Sequence, residues 1–411
     1  MVMTPERAKT LFQLPPELTE LKLLVRKIVK EQCIPLEQVL LNSDPTSTDG
    51  GYGETFVPGS IGVDNRERLR KISEETGIYN MHLPEEYGGS GFGVLGNFVV
   101  AEETNRSLVH LPYANVPNIL YEANEDQKQR FLMPVIRGEL RPCFAQTEPG
   151  AGSDPGNSMQ TRAVRDGDDW VINGTKMFIS GADTADFAML QAVTDPDKRQ
   201  RGGITMFLLP LNTPGITLQP IRMWTTESRA RQFFVYLDNV RVPQANVLGE
   251  VGGGFRLGQR WLVIHDRLSR GQLACGILSR GLDMAVEWAK NRVTFGQPLA
   301  QRQAIQWMLV DVYIDLKCIR AVSYECAARA DAGEDVRVLG SLSKLLGANW
   351  GHRSVDKLMQ IFGGLGETLE MPFPYWYKML RHGRIGGGTD EIHRMLIARN
   401  ILNIGSSLWD A

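Results

Sequence analysis

From Leu18 onward the apolar residues Leu21, Leu24, Val25, Ile28 and Val29 recur at helical spacing, and Leu69, Ile72 and the stretch Val94 to Glu103 belong to further helical segments. The first third of the chain reads as helical. Its exception is Asn42 to Ser60, whose Asp, Thr, Gly and Pro content predicts a long loop between two helices. Near Pro142 the pattern changes to short β-rich runs: Thr161 to Val164, Trp170 to Ile172, Thr175 to Ile179, Ile204 to Leu209, Ile216 to Leu218 and Gln232 to Leu237. Asn173-Gly174 lies between two of them and predicts a hairpin, because both central turn residues favour positive φ. After Gly252-Gly-Gly254 the helical period returns over Leu257 to Arg292, Ala304 to Ala332, Val336 to Phe362 and Thr389 to Leu402, four amphipathic segments that predict an antiparallel bundle.

Helices, then strands, then helices imply an α+β chain of three domains: a helical domain over 1–141, a β-barrel or sandwich domain over 142–251, and a helical bundle over 252–411. The order does not match the βαβ alternation of a nucleotide-binding α/β domain. With 411 residues, 45 Lys+Arg against 47 Asp+Glu leave a net charge of −2, which removes any global electrostatic reason for a nucleic-acid partner. No apolar run approaches the ~18 residues needed to span a bilayer. The start, Met1 to Arg7, lacks a secretory pattern, and five cysteines without a CxxC pair read as reduced thiols, so a cytoplasmic chain with no membrane partner is expected. The six histidines form no HExxH or other close ligand set, and no metal is expected.

Two glycine motifs carry little. Gly91-Phe-Gly-Val-Leu-Gly96 matches GxGxxG, but no strand precedes it, so it reads as a loop feeding a helix and not as a dinucleotide fingerprint. Gly252-Gly-Gly254 reads as a domain hinge.

Other segments speak together. Phe144-Ala-Gln-Thr-Glu-Pro-Gly-Ala-Gly-Ser-Asp154 resembles the signature of the acyl-CoA dehydrogenase flavoproteins, and Met177-Phe-Ile-Ser180 resembles the strand that lies against their flavin. Asn291-Arg-Val-Thr-Phe-Gly-Gln-Pro-Leu299, Gln360-Ile-Phe-Gly-Gly364 and Arg384-Ile-Gly-Gly-Gly-Thr-Asp-Glu-Ile392 resemble the bundle motifs of the same family. The resemblance implies a homotetramer (or homodimer) with FAD between the β-domain and the bundle, its tail held partly by a neighbouring subunit. It assigns the polar edge of the flavin to Thr147 and Ser180 and the covering aromatic to Phe178. It assigns a pyrophosphate contact to Arg292 with Phe295 in the same motif, the adenine and phosphate end to Gln303 and the loop from Gln360 to Gly364, and a further flavin-phosphate contact to Thr389. Ser153 matches a contact to the CoA chain.

The implied chemistry is α,β-dehydrogenation of an acyl-CoA thioester: a carboxylate takes the α-proton, the β-hydrogen leaves as hydride to flavin N5, and an electron-transfer flavoprotein collects the electrons. In many members the carboxylate is a Glu directly before the Gly-Thr of the last motif, where this chain has Gly387. Other members carry it on the first long bundle helix, directly before an Arg, which matches Asp266-Arg267. Asp266 is therefore the candidate base, with Arg267 beside it at the substrate and Gly387 leaving space and a backbone N–H next to the substrate. The other reading of Asp266 is a helix-surface Asp paired with Arg267 or Arg270, and Asp390 and Glu391 are the alternative carboxylates. An oxygen-using flavin oxidase or monooxygenase of the same superfamily and a catalytically silent flavoprotein scaffold remain as alternative functions.

Overall fold

A computed structural model describes residues 14–44, 59–226 and 232–402. The segment 45–58, most of the loop expected over 42 to 60, lies outside them.

The middle of the chain forms one mixed sheet. Its strands are β1 Pro142–Ala145, β2 Arg162–Asp166, β3 Asp169–Ser180, β4 Phe187–Val193, β5 Ile204–Pro210, β6 Ile216–Ile221, β7 Gln232–Pro243 and β8 Val247–Leu248, in the order β6-β7-β3-β2-β4-β5-β8, with β1 parallel to β4. β4 is buried at every position, as a strand covered on both faces must be. The hairpin expected at Asn173-Gly174 is not there. β3 runs straight through both residues, and the turn falls earlier, where Asp166 pairs with Asp169 across Gly167 and Asp168. Gly174 instead serves a bulge: pairing with β7 slips between Ile172 and Gly174, and a Cβ at 174 would stand 2.6 Å from the Thr161 Cα.

The bundle contains α4 Gly254–Trp261, a π-helical turn Leu262–Arg267, α5 Leu268–Asn291, α6 Gln303–Asp331, α7 Arg337–Phe362, α8 Phe373–Gly383 and α9 Asp390–Ile401. α8 was not anticipated from the pattern. It starts Phe373-Pro374, where a proline fits the first turn, and buries Phe373, Tyr375, Trp376, Met379 and Leu380. The glycines before α4 form a packed junction and not a free hinge: Gly252 N donates to Thr205 Oγ1 at 2.9 Å, and a Cβ at 254 would meet Met206 N at 2.3 Å.

In the N-terminal region, the helices α1 Pro16–Ile28, α2 Val63–Glu75 and α3 Gly93–Thr104 share one core with the bundle. The loop Gly91 to Gly96 does lead into a helix, and its first amides are taken: Val94 N and Leu95 N donate to the Asp331 carboxylate at 2.7 and 2.8 Å. Two buried carboxylates tie this region down. Glu102 meets Lys22 at 2.9 Å and Arg320 at 2.6 Å, and Glu103 meets Arg26 at 2.7 Å. Burial pushes the Glu102 carboxyl up, but Arg320 and Lys22 outweigh it and hold it below the usual carboxylate range. Among the described residues no helix is long and apolar enough to cross a membrane, and the five cysteines carry no disulfide.

Candidate active site

The β-domain and the bundle meet at an aromatic stack. Phe144 of β1 lies on Trp261, the last residue of α4, with ring centroids 4.2 Å apart, and Trp261 in turn stacks on His265. The segment expected as one continuous helix, Leu257 to Arg292, is interrupted here by the π turn. Such turns displace side chains from the regular helical track and concentrate at functional sites. Asp266 sits in this turn.

Its carboxylate is sheltered and asymmetric. Oδ1 accepts from Arg270 Nη2 at 2.9 Å, whereas Oδ2 has no hydrogen-bond partner. Asp266 is thus paired with Arg270, but the pair lies inside the protein and not on a helix surface, the two side chains being 13% and 8% exposed. Burial pushes the Asp266 carboxyl up; Arg270, Lys344 and Arg267 outweigh it and hold it below the usual carboxylate range. Gly387 faces it directly. Its φ is +70°, a conformation that favours glycine, and a Cβ built there would stand 1.5 Å from Asp266 Oδ2.

The loop around Gly387 is held by groups that sequence reasoning did not single out. Lys344, wholly buried in α7, donates to the Gly388 carbonyl, and His393 Nε2 lies 3.2 Å from the Gly387 carbonyl. Thr389 caps α9, its hydroxyl accepting from Ile392 N at 3.4 Å. Of the alternative carboxylates, Asp390 is buried against Arg384 at 2.8 Å and Asn349 at 3.0 Å, and Glu391 is exposed. Arg267 is buried and packs on α7, its Nη2 lying 3.5 Å from Gln259 Oε1. No sequence period brings Lys344 or His393 to Asp266; only the folding of α7 and α9 against the π turn does.

Thr147 and Phe178 come together in the sheet. Met177 N donates to the Thr147 carbonyl at 2.8 Å, and beneath them the buried Lys176 ammonium binds Glu148 at 2.8 Å. Phe178 takes φ +59° where pairing with β7 slips between Lys176 and Ile179, and its ring is 45% exposed. A strained, outward aromatic beside the part-exposed Thr147 and the exposed Ser180 fits the covering of a planar, polar-edged ring such as a flavin. Ser153 is exposed on the loop after β1.

At the far end of the bundle, Arg292 and the Gln360 to Gly364 loop line one cavity of about 510 Å³ with Trp288, Thr294, Leu299 and Ile305. Nothing stands within 4 Å of a Cβ at Gly363 or Gly364, so backbone and guanidinium are open to a phosphate-bearing ligand. Gln303 begins α6 and is exposed, and Phe295 is 95% exposed on the connecting ribbon.

The chain is similar to known proteins over nearly its whole length. Residues 60–139, 143–240 and 252–402 match the N-terminal, middle and C-terminal domains of acyl-CoA dehydrogenase. The chain is 34% identical over 414 residues to (R)-benzylsuccinyl-CoA dehydrogenase of Thauera aromatica, covering 96% of this chain and 97% of that one. Butyryl-CoA dehydrogenase from Megasphaera elsdenii superposes with a TM-score of 0.79 at 28% identity, over 95% of this chain and 99% of that one. A glutaryl-coenzyme A dehydrogenase solved with glutaryl-CoA gives 0.80 at 26% identity, over 96% and 97%.

Proposed function

Because the chain belongs to the acyl-CoA dehydrogenase family, we propose that it desaturates an acyl-CoA thioester between Cα and Cβ with Asp266 as the base. The observation that carries this is the unpartnered Oδ2 of Asp266, seated in the volume that a side chain at 387 would need. Arg270 holds Oδ1, which orients the carboxylate and presents Oδ2 to the α-proton. The Gly387 N–H polarises the thioester carbonyl, which makes that proton more acidic. The stacked rings of Phe144 and Trp261 wall the site on the β-domain side. FAD, when bound, supplies the acceptor for the β-hydride. Thr147, Phe178 and Ser180 would hold its ring, and Arg292, Gln303, Gln360, Gly364 and Thr389 its phosphate and adenine end. The proton on Asp266 returns to solvent after the unsaturated thioester leaves, and an electron-transfer flavoprotein takes the electrons.

The assembly we infer is a homotetramer in the cytoplasm. Trp307, Val310 and Ile314 of α6, together with Val293 and Phe295, expose a run of apolar surface that a second copy would cover. The test is anaerobic titration of the FAD-loaded protein with a panel of acyl-CoAs. Bleaching of the flavin by at least one thioester is the expected result; peroxide release in air would point to an oxidase, and inertness to every thioester would overturn the proposal.

A further inference from the structure

Around Asp266 the charges do not cancel. Arg267, Arg270 and Lys344 face Asp266, and the neighbouring Asp390 is matched by Arg384 and Arg394, so five basic side chains gather about two carboxylates. Arg267, Arg270 and Lys344 are buried. Histidine adds no charge, because shelter from water pushes His382 down to about 4 and His393 to about 3. Burying a cation is costly unless an anion answers it. A site with this excess of positive charge is built to receive an anionic group.

The guanidinium of Arg270 is where that group would be met. Its Nη2 binds Asp266 Oδ1 at 2.9 Å, and the same nitrogen lies 3.8 Å from the point where a Cβ at 386 would stand. The His382 Nε2 lies closer still, 3.2 Å from the same point, so glycine at 386 and 387 keeps a further side chain off the guanidinium, this imidazole and the base. Arginine's planar fork of donors suits a carboxylate better than any other common anion of its size.

We propose that Arg270 is a subsite for a second, ionised carboxylate on the acyl group, so that the substrate is a short dicarboxylic acid carried as its mono-thioester; this rests on the reading of Asp266 as the base. The guanidinium touches the base itself, so the second carboxylate must lie only a few bonds from the acidic carbon. That selects a succinyl or glutaryl skeleton over a long chain with a distant carboxylate. Binding has a chemical consequence as well. A substrate carboxylate shares the guanidinium with Asp266 and weakens the hold that keeps Asp266 acidic, so the base strengthens when the right substrate is in place. A monoacid of equal length leaves that hold intact and sets an apolar end against buried cations.

The test is calorimetric binding to the FAD-loaded protein of two matched pairs, succinyl-CoA with butyryl-CoA and glutaryl-CoA with pentanoyl-CoA. We expect the diacid thioester to bind at least ~10-fold more tightly in one pair or both, Arg270→Gln to bring the members of that pair to parity, and Arg270→Lys to keep part of the preference. Parity or preference for the monoacid in both pairs overturns the proposal, and so does a diacid preference that survives in Arg270→Gln. If Arg270→Gln does not fold, the wild-type ratios and Arg270→Lys decide alone, an unchanged preference in Arg270→Lys counting against. Binding is read without turnover, so the two readings separate. Diacid preference with no flavin bleaching removes the dehydrogenase and keeps the subsite, while bleaching by a monoacid without any diacid preference does the reverse.

Discussion

The Oδ2 atom of Asp266 occupies the volume that a side chain at residue 387 would need, 1.5 Å from its Cβ. A carboxylate can reach this point from the π turn or from the last bundle loop, but not from both. Gly387→Ala should therefore push the Asp266 carboxylate aside and also strain a backbone at φ +70°, which costs about 1–2 kcal/mol. Flavin reduction should slow by at least tenfold with FAD content unchanged. Rescue of a disabled base needs the site cleared first: Asp266→Gly with Gly387→Glu should outperform Asp266→Gly alone, whereas Gly387→Glu on wild-type Asp266 should not. Full activity in Gly387→Ala, followed by stopped-flow spectroscopy, would remove the shared-volume argument.

Asp266→Asn keeps the shape and the contact with Arg270 but cannot accept the proton. Thioester binding and FAD should be retained, and anaerobic flavin reduction should fall by roughly a hundredfold or more. Undiminished reduction would move the base elsewhere. Asp390 is then the next carboxylate to substitute, since Arg384 and Asn349 both hold its Oδ2 while its buried Oδ1 has no hydrogen-bond partner.

Long periods were readable from the chain and local inversions were not. Ala304 to Ala332 anticipates α6, observed over Gln303–Asp331, because apolar residues at helical spacing demand a buried face whatever surrounds them. Asn173-Gly174 misled because the same pair suits a hairpin or a bulge, and the choice was made by Thr161 lying against Gly174, a contact between strands that no local pattern encodes. The site divides in the same way. Asp266 and Gly387 stood out through family motifs, but their meeting, and the ring of Lys344, Arg270 and His393 around them, depends on three helices far apart in sequence.

The Lys176–Glu148 pair should behave as a structural lock on the flavin-facing segments. Lys176 also donates to the Gln146 carbonyl at 3.1 Å, and Glu148 accepts from Thr161 N at 2.9 Å, so the pair fastens the loop carrying Thr147 to the strand carrying Phe178. Burial pushes the Lys176 ammonium down to about 8 against the pull of Glu148. Lys176→Met leaves a buried carboxylate without its countercharge and should destabilise the protein by about 3–5 kcal/mol. The double variant Lys176→Met with Glu148→Gln should recover much of that in thermal unfolding, while still releasing FAD faster than wild type. Equal losses in the single and double variants would deny the coupling.

Acid should unfold this protein well above the range in which ordinary carboxylates titrate. Shelter from water pushes His82, His110, His265 and His382 down to about 4, and His393 to about 3. In the unfolded chain each imidazole titrates near ~6.5. Between these values the unfolded chain binds protons that the folded one refuses, so stability falls as pH falls, by up to about 1.4 kcal/mol per pH unit for each such histidine. The carboxylates held low in the fold, Glu102, Asp266 and Asp390, work in the same direction but only further down, as pH drops from their unfolded values through their folded ones. The midpoint of urea unfolding should therefore decline steeply between about pH 6 and pH 4, with a slope of several protons. His393→Gln, which removes one fully buried imidazole beside the Gly387 carbonyl, should lower the slope by about one proton while shifting the whole curve. A midpoint that stays flat from pH 6.5 to pH 4 would falsify the assignment of these histidines as neutral in the fold.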